Sequence, residues 1–170
     1  MKKLKGFTLI ELIVVIAIIG ILAAIIIPSV LAYVQDSRIS QYNSNARSVY
    51  SGAQLAITDV MADGGSILPD TVYICDSYGS GICQATSGSD TIDITKYIGD
   101  SFQGYYGFIT DSSGNCSIYA LWSNQPVNAS MFDHQRTIAD VETEFETTPV
   151  GCHPLKIDNL NGNGNANQGG

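Results

Sequence analysis

Almost every position among the first 28 residues of the chain is apolar. The run from Leu12 to Ile27 contains 16 apolar residues. With the apolar residues just before it, this run approaches the roughly 20 residues that a helix needs to cross a bilayer. Lysines at positions 2, 3 and 5 precede the run, and positive charge holds that end of a membrane helix in the cytoplasm. The pattern predicts a membrane-inserted helix, with everything after Pro28 outside the cytoplasm.

Glu11 is the one acidic residue inside this apolar stretch. A charged side chain at the centre of a membrane helix costs about 2.5–3.5 kcal/mol on insertion scales, so it is retained where it has a partner or a purpose. An ordinary secretory signal peptide is the alternative for this segment, since a basic region, an apolar region and the small-residue sequence Val30-Leu31-Ala32 are all present. The glutamate argues against that alternative, and the sequence must supply its partner.

A second apolar pattern follows the first and has the period of a helix. Apolar residues recur at alternating spacings of four and three, which indicates one helical stripe, at Tyr42, Ala46, Val49, Ala53, Ala56 and Val60. The sequence Asp63-Gly64-Gly65 and then Pro69 supply a stop signal. We predict a single helix from about Phe7 to Ala62, about 80 Å long at about 1.5 Å per residue. Pro28 either kinks this helix or begins a helix of its own.

The remaining hundred residues have the pattern of short strands between turn clusters. Four segments are rich in β-branched and aromatic residues: Thr71–Cys75, Thr91–Ile98, Tyr105–Thr110 and Cys116–Trp122. They predict an antiparallel sheet that covers the helical stripe, and hence an α+β fold with a long N-terminal helix packed on a small sheet domain. Residues 138–147 fit either a short helix or a strand with an acidic outer face, and we favour the strand.

Length and charge limit the organisation of the chain. Its 170 residues suit one membrane helix and one globular domain. We expect a leader at 1–6, an apolar helix at 7–28, an amphipathic helix at 29–62, a sheet domain at 63–158 and a flexible Gly/Asn-rich tail at 159–170. The net charge of −8 argues against a surface that binds phosphate, so no direct nucleic-acid partner is expected.

Four cysteines lie on the outward side of the predicted membrane helix, where oxidising conditions favour disulfides. They allow three pairings. We favour Cys75 with Cys83, which closes a short Gly-rich loop, and Cys116 with Cys152, which ties the C-terminal segment to a central strand. A zinc site is the alternative, but no Cys-x-x-Cys pair is present.

No arrangement of residues in the sequence predicts catalysis. His134 and His153 are the only histidines, and no serine occupies a Gly-x-Ser-x-Gly turn. The alternating glutamates at 142, 144 and 146 could bind calcium, but such a row more often forms a solvated face. We expect no enzyme, no cofactor and no metal site.

The segment Lys5-Gly6-Phe7-Thr8-Leu9-Ile10-Glu11-Leu12-Ile13 resembles the prepilin signature of type IV pilins and the related pseudopilins. Gly20, Pro28 and the long helix also resemble the pilin pattern, so the similarity is strong over about 60 residues. The resemblance implies that a prepilin peptidase cuts after Gly6 and methylates the new N-terminus at Phe7. Removal of three lysines would change the net charge from −8 to −11.

The cut would create a cationic amine at Phe7, and this amine gives Glu11 the partner that it needs. Within one chain the two groups are four residues apart, about one helical turn. Between chains, Glu11 of an incoming subunit can neutralise the Phe7 amine of a packed one, and wrong axial offsets are penalised because a buried charge without a partner is costly. The pair would therefore set the register of assembly.

We expect a structural subunit of a type IV pilus, held in membrane lipid until the pilus assembly machinery adds it to a helical homopolymer of identical subunits on the cell surface. Adhesion, twitching motility or DNA uptake would be activities of the whole filament. A pseudopilin of a type II secretion system is one alternative. A membrane-tethered binding domain is another, and it predicts that removal of the Glu11 charge leaves the protein functional.

Overall fold

A computed structural model describes residues 7–76, 82–99 and 102–156 of the chain. The chain divides into two compact units, Met1–Arg38 and Ile39–Gly170. The predicted leader at 1–6 and the predicted tail at 159–170 lie outside the described residues. The bounds expected for the segments between them stay predictions.

The N-terminal helix α1 spans Leu9–Ala62. Residues 9–38 of α1 belong to the first unit and residues 39–62 to the second. The helix runs through Pro28, which excludes a helix start at this proline. The Ser29 hydroxyl donates to the Ile26 carbonyl at 2.8 Å. A kink at Pro28 stays a prediction.

The second unit is built on one antiparallel sheet of six strands in the order β3-β2-β1-β4-β5-β6. The strands are β1 Val72–Asp76, β2 Ile82–Ala85, β3 Thr91–Asp93, β4 Tyr105–Thr110, β5 Ser117–Ser123 and β6 Val150–His153. The short helix α2, Thr95–Ile98, follows β3, and the 3₁₀ helix at Ala129–Phe132 and helix α3, Ile138–Glu144, lie between β5 and β6. The expected α+β fold is confirmed.

The strand predictions are confirmed for β1, β4 and β5, too long for β3, and missing for β2 and β6. The predicted hairpin of β4 and β5 forms, with Phe108 opposite Ala120. The predicted strand Thr91–Ile98 ends at Asp93, because the Asp93 carboxylate accepts hydrogen bonds from the backbone N–H and hydroxyl of Thr95 and the chain turns into α2. The predictions missed β2 and β6, which have four residues each.

The helical stripe of α1 is buried, as the sequence pattern predicts. Ala46, Val49 and Ala53 have no exposed surface, and they form one core cluster with residues of the sheet. The sheet contributes large rings to this cluster, at Tyr73, Tyr106, Phe108 and Trp122. The small alanines of the stripe leave room for these rings, so α1 fits closely against the sheet.

Residues 138–144 form the helix α3, and not the strand that we favoured for residues 138–147. The Asp140 N–H donates to the Thr137 hydroxyl at 3.1 Å, and the Thr137 N–H donates to the Asp140 carboxylate at 2.8 Å. This reciprocal arrangement is a capping box, which satisfies backbone donors at a helix start. Val141 and Phe145 are buried in a second core cluster against β5 and β6. The helical period therefore places Val141 and Phe145 inward, whereas Ile138 at the helix start is exposed.

Strand β6 lies at one edge of the sheet and contacts α1 closely. The backbone N–H of Cys152 donates to Asn43 Oδ1 at 3.0 Å. A Cβ atom added at Gly151 would lie 2.1 Å from the Tyr42 carbonyl oxygen, so only glycine fits there. The Tyr42 ring contacts both Trp122 and Phe145, at centroid distances of 4.6 and 4.9 Å. These contacts join α1, the sheet and α3.

Candidate assembly site

Glu11 is part of a hydrogen-bonded cap at the start of α1. The backbone N–H of Thr8 donates to Glu11 Oε2 at 2.8 Å, and the Thr8 hydroxyl donates to the same oxygen at 2.7 Å. The Glu11 N–H lies 3.3 Å from the Thr8 hydroxyl oxygen, which accepts from it. Thr8 immediately precedes the helix and Glu11 is its third residue. The pair therefore has the positions of a capping box.

Phe7 and Glu11 lie on the same side of the helix start. Both line one shallow groove, together with Ile10, Val14 and Val15. The Phe7 side chain is 85% exposed. Gly6, the other residue of the expected cleavage site, lies outside the described residues. Cleavage at Gly6, methylation of Phe7 and the charge pair of Phe7 with Glu11 stay predictions.

The first unit presents an apolar helical surface to its surroundings. Large apolar side chains from Phe7 to Val34 are exposed, including Ile10 at 70%, Ile25 at 71% and Leu31 at 64%. By length and composition, α1 is the one helix of the described residues that could cross a membrane. Between Phe7 and Gln35 the only side chain that carries a charge at neutral pH is that of Glu11. The surface thus combines a wide apolar face with one anion.

One of the two favoured disulfides is present. Cys75 of β1 is bonded to Cys83 of β2, its direct partner in the register of the two strands. Cys116 and Cys152 are not bonded, so the pairing that we favoured for them is wrong. Cys152 pairs with Leu121, five residues along the chain from Cys116. At about 3.3 Å per residue this is about 16 Å, whereas a disulfide requires Cα atoms within about 7 Å.

The surroundings of the two free thiols make neither of them more nucleophilic. Burial raises the pKa of the Cys152 thiol to about 11. Burial, followed by the nearby carboxylate of Asp111, raises the pKa of Cys116. Because the thiolate is the reactive form of cysteine, both groups are poor nucleophiles at neutral pH.

Within the described residues, the two histidines contact different neighbours. His134 Nδ1 lies 2.6 Å from Asp133 Oδ1, and both side chains are largely exposed. The His153 ring meets the Tyr50 ring at a centroid distance of 5.4 Å, and burial followed by the charge of Arg47 lowers the pKa of His153. Within the described residues, no group of three or more histidine, cysteine, aspartate or glutamate side chains could hold a metal ion.

Comparison with known proteins bears directly on the start of the chain. The family model described as the prokaryotic N-terminal methylation motif matches residues 1–27. A fimbrial protein of Pseudomonas aeruginosa is 36% identical over 111 residues, which cover 59% of this chain and 72% of that protein. Fimbrial protein EcpC of Eikenella corrodens is 40% identical over 84 residues, covering 49% of this chain and 48% of the relative.

Type IV major fimbrial protein FimA of Dichelobacter nodosus is 47% identical over 60 residues, which cover 35% of this chain and 38% of that relative. No solved structure matches the chain. The fold adds a long helix with an exposed apolar start, followed along the chain by an antiparallel sheet domain. With the methylation motif and the fimbrial relatives, the chain belongs to the type IV pilin family, whose members are structural proteins.

Sequence reasoning proposed Phe7 and Glu11 as site residues but overlooked Thr8, which forms the cap with Glu11. The signal was present, since a threonine three residues before a glutamate, followed by an apolar run, is the sequence form of a capping box. We considered only the Phe7 amine, of the same chain or of another, as the partner of Glu11. The structure adds a partner within that turn.

Proposed function

We propose that this chain is a repeated structural subunit of a type IV pilus, which polymerises through α1 into a surface filament. One observation supports this most directly: the exposed apolar side chains between Phe7 and Val34 are interrupted by a single carboxylate, that of Glu11. Such a surface is too apolar to remain in water. Lipid before assembly and the helices of other subunits after it would both cover this surface.

Processing would prepare the N-terminus for this polymer. A prepilin peptidase that is also an N-methyltransferase would cut after Gly6 and methylate Phe7. The cut removes the three lysines that hold the leader in the cytoplasm and leaves the apolar helix intact. It also creates a cation four residues before Glu11.

Assembly would then use this cation as the recognition group. The amine of Phe7 in one subunit pairs with Glu11 of another, and low dielectric surroundings strengthen their attraction. Every subunit presents the same two groups, so one head-to-tail contact repeats without closing into a ring. The pilus assembly machinery would supply subunits from the membrane, and adhesion, motility or DNA uptake would belong to the filament as a whole.

The first test is mass spectrometry of the N-terminus of subunits from sheared filaments, combined with electron microscopy of the cells. We expect a methylated Phe7 as the first residue and filaments on the surface. A mature chain that still begins at Met1 would contradict the proposal.

The second test is the variant Glu11→Ala. We expect normal membrane insertion and normal cleavage but no filaments, because the Phe7 amine loses its partner. Glu11→Asp, which keeps the charge on a shorter side chain, is the matched control and should retain part of the assembly. Filaments of normal number from Glu11→Ala would favour a membrane-tethered domain. The pseudopilin alternative has less support, because the relatives cited above are named as fimbrial proteins.

A further inference from the structure

The two carboxylate oxygens of Glu11 have different surroundings. Both hydrogen bonds from Thr8 end on Oε2, at 2.8 Å from the backbone N–H and 2.7 Å from the hydroxyl. Within the described part of the chain, no residue donates a hydrogen bond to Oε1. One oxygen of Glu11 is thus used inside the helix turn, and the other is left available.

The cap is independent of processing. The N–H that binds Glu11 belongs to the peptide bond between Phe7 and Thr8, whereas the expected cut lies between Gly6 and Phe7. The Thr8 hydroxyl is likewise untouched by the cut. The same three groups are therefore present before and after processing, and Glu11 can keep one orientation throughout.

We propose that Thr8 is a positioning residue for assembly: it holds Glu11 through Oε2, so that Oε1 is directed to the Phe7 amine of another subunit. This inference rests on the proposed function, since it requires that Glu11 pairs with that amine. Without the Thr8 hydroxyl, the long side chain of Glu11 keeps only the hydrogen bond from the backbone N–H. It is then held less firmly and must be ordered further when a subunit binds, which weakens association. The first turn of α1 would also leave a backbone donor without a partner in apolar surroundings, where this is costly.

The test compares Thr8→Val with Thr8→Ser in the full-length chain expressed in its producing cell. Valine has nearly the same shape as threonine but no hydroxyl, whereas serine keeps the hydroxyl. The loss of a helix cap corresponds to about a fivefold change in an equilibrium. We therefore expect Thr8→Val to lower the filament yield per cleaved subunit about fivefold, and Thr8→Ser to restore it.

A second measurement separates positioning from a general loss of helix structure. In the detergent-solubilised full-length chain, the ¹³C shift of the Glu11 carboxylate should change in Thr8→Val and stay unchanged in Thr8→Ser. Helix content by circular dichroism should be equal in all three proteins. An unchanged carboxylate signal, or a normal filament yield from Thr8→Val, would overturn the inference.

The outcomes distinguish this inference from the proposed function. If Glu11→Ala abolishes filaments while Thr8→Val assembles normally, only the role of Thr8 is overturned. If Glu11→Ala itself assembles normally, the charge pair is overturned. A Thr8→Val chain that remains uncut would assign Thr8 to recognition by the peptidase and would also overturn the positioning role.

Discussion

Asn43 shows how one side chain can hold a strand in place. Its Oδ1 accepts the backbone N–H of Cys152 at 3.0 Å, so a polar group of α1 satisfies a donor of β6. Cys152 is itself fully buried. Because water has little access to this N–H, its only alternative to Asn43 is to remain without a partner.

We predict that Asn43→Ala lowers the free energy of unfolding by about 1–3 kcal/mol, since it leaves a buried donor without an acceptor. The change is measured by urea unfolding of the detergent-solubilised chain, monitored by the near-ultraviolet circular dichroism of Trp122. Asn43→Asp keeps an acceptor and should lose less, and Ser44→Ala at the exposed neighbouring position should lose little. Equal stability of Asn43→Ala and the original chain would show that the bond contributes nothing.

Individual residues were the hardest part of this protein to predict. Glu11 was proposed as a site residue because a charge is unusual in an apolar run, and Phe7 because it follows Gly6 in the prepilin-like signature. Asn43 could not, because its partner is 109 residues away in sequence and no local pattern connects the two. Long-range bonds of this kind depend on the complete fold.

The elements of the fold differ in how strongly the sequence specifies them. The stripe of α1 was predictable because its period repeats over five turns, and the hairpin of β4 and β5 because both strands are long and rich in aromatic residues. Strands β2 and β6 have four residues each, too few to establish a period. The sequence of residues 138–147 fits both the period of a helix and that of a strand. The capping box of Thr137 and Asp140 stabilises the helix.

A disulfide links strands β1 and β2 of the second unit covalently. Cys75 and Cys83 are eight residues apart, and both are fully buried beneath α1. We predict that the double variant Cys75→Ala/Cys83→Ala lowers the free energy of unfolding by about 2–4 kcal/mol, because the unfolded chain gains conformational freedom. Urea unfolding with and without reductant measures this, and reductant should affect only the proteins that carry the bridge.

Cys116→Ser is the matched control for this prediction. It removes a cysteine that forms no disulfide, so the free energy of unfolding should change by less than about 0.5 kcal/mol. A large loss in Cys116→Ser, equal to that of the double variant, would indicate that Cys116 is bonded in the protein as produced in the cell.

The charge of the whole molecule opposes its proposed assembly. After removal of three lysines the net charge would change from −8 to −11. In a filament, many such subunits would lie within a short distance, where like charges repel. The screening length falls from about 30 Å at 0.01 M salt to about 8 Å at 0.15 M, so added salt should relieve the repulsion.

We predict that sheared filaments dissociate faster at 0.01 M than at 0.15 M sodium chloride, measured by sedimentation of the polymer. Two exposed glutamates, Glu142 in α3 and Glu146 in the turn after it, allow a matched test. The variant Glu142→Gln/Glu146→Gln carries two fewer negative charges and should depend less on salt, whereas Glu142→Asp/Glu146→Asp should behave like the original chain. Filaments that are more stable at low salt would indicate that attraction between subunits, and not repulsion, dominates their electrostatics.

The hydrogen bond between Asn43 and Cys152 also protects the β6 edge of the sheet against pairing with another molecule. An edge strand with unpaired backbone groups can bind the edge of another sheet, which is a route to aggregation. At one edge, the Cys152 N–H is already bonded to α1. At the other edge, β3 is three residues long and carries the charged Asp93. In the proposed filament, many copies of this chain lie side by side. Their sheet edges are protected against pairing with one another, so the contacts between subunits would be made by the helices.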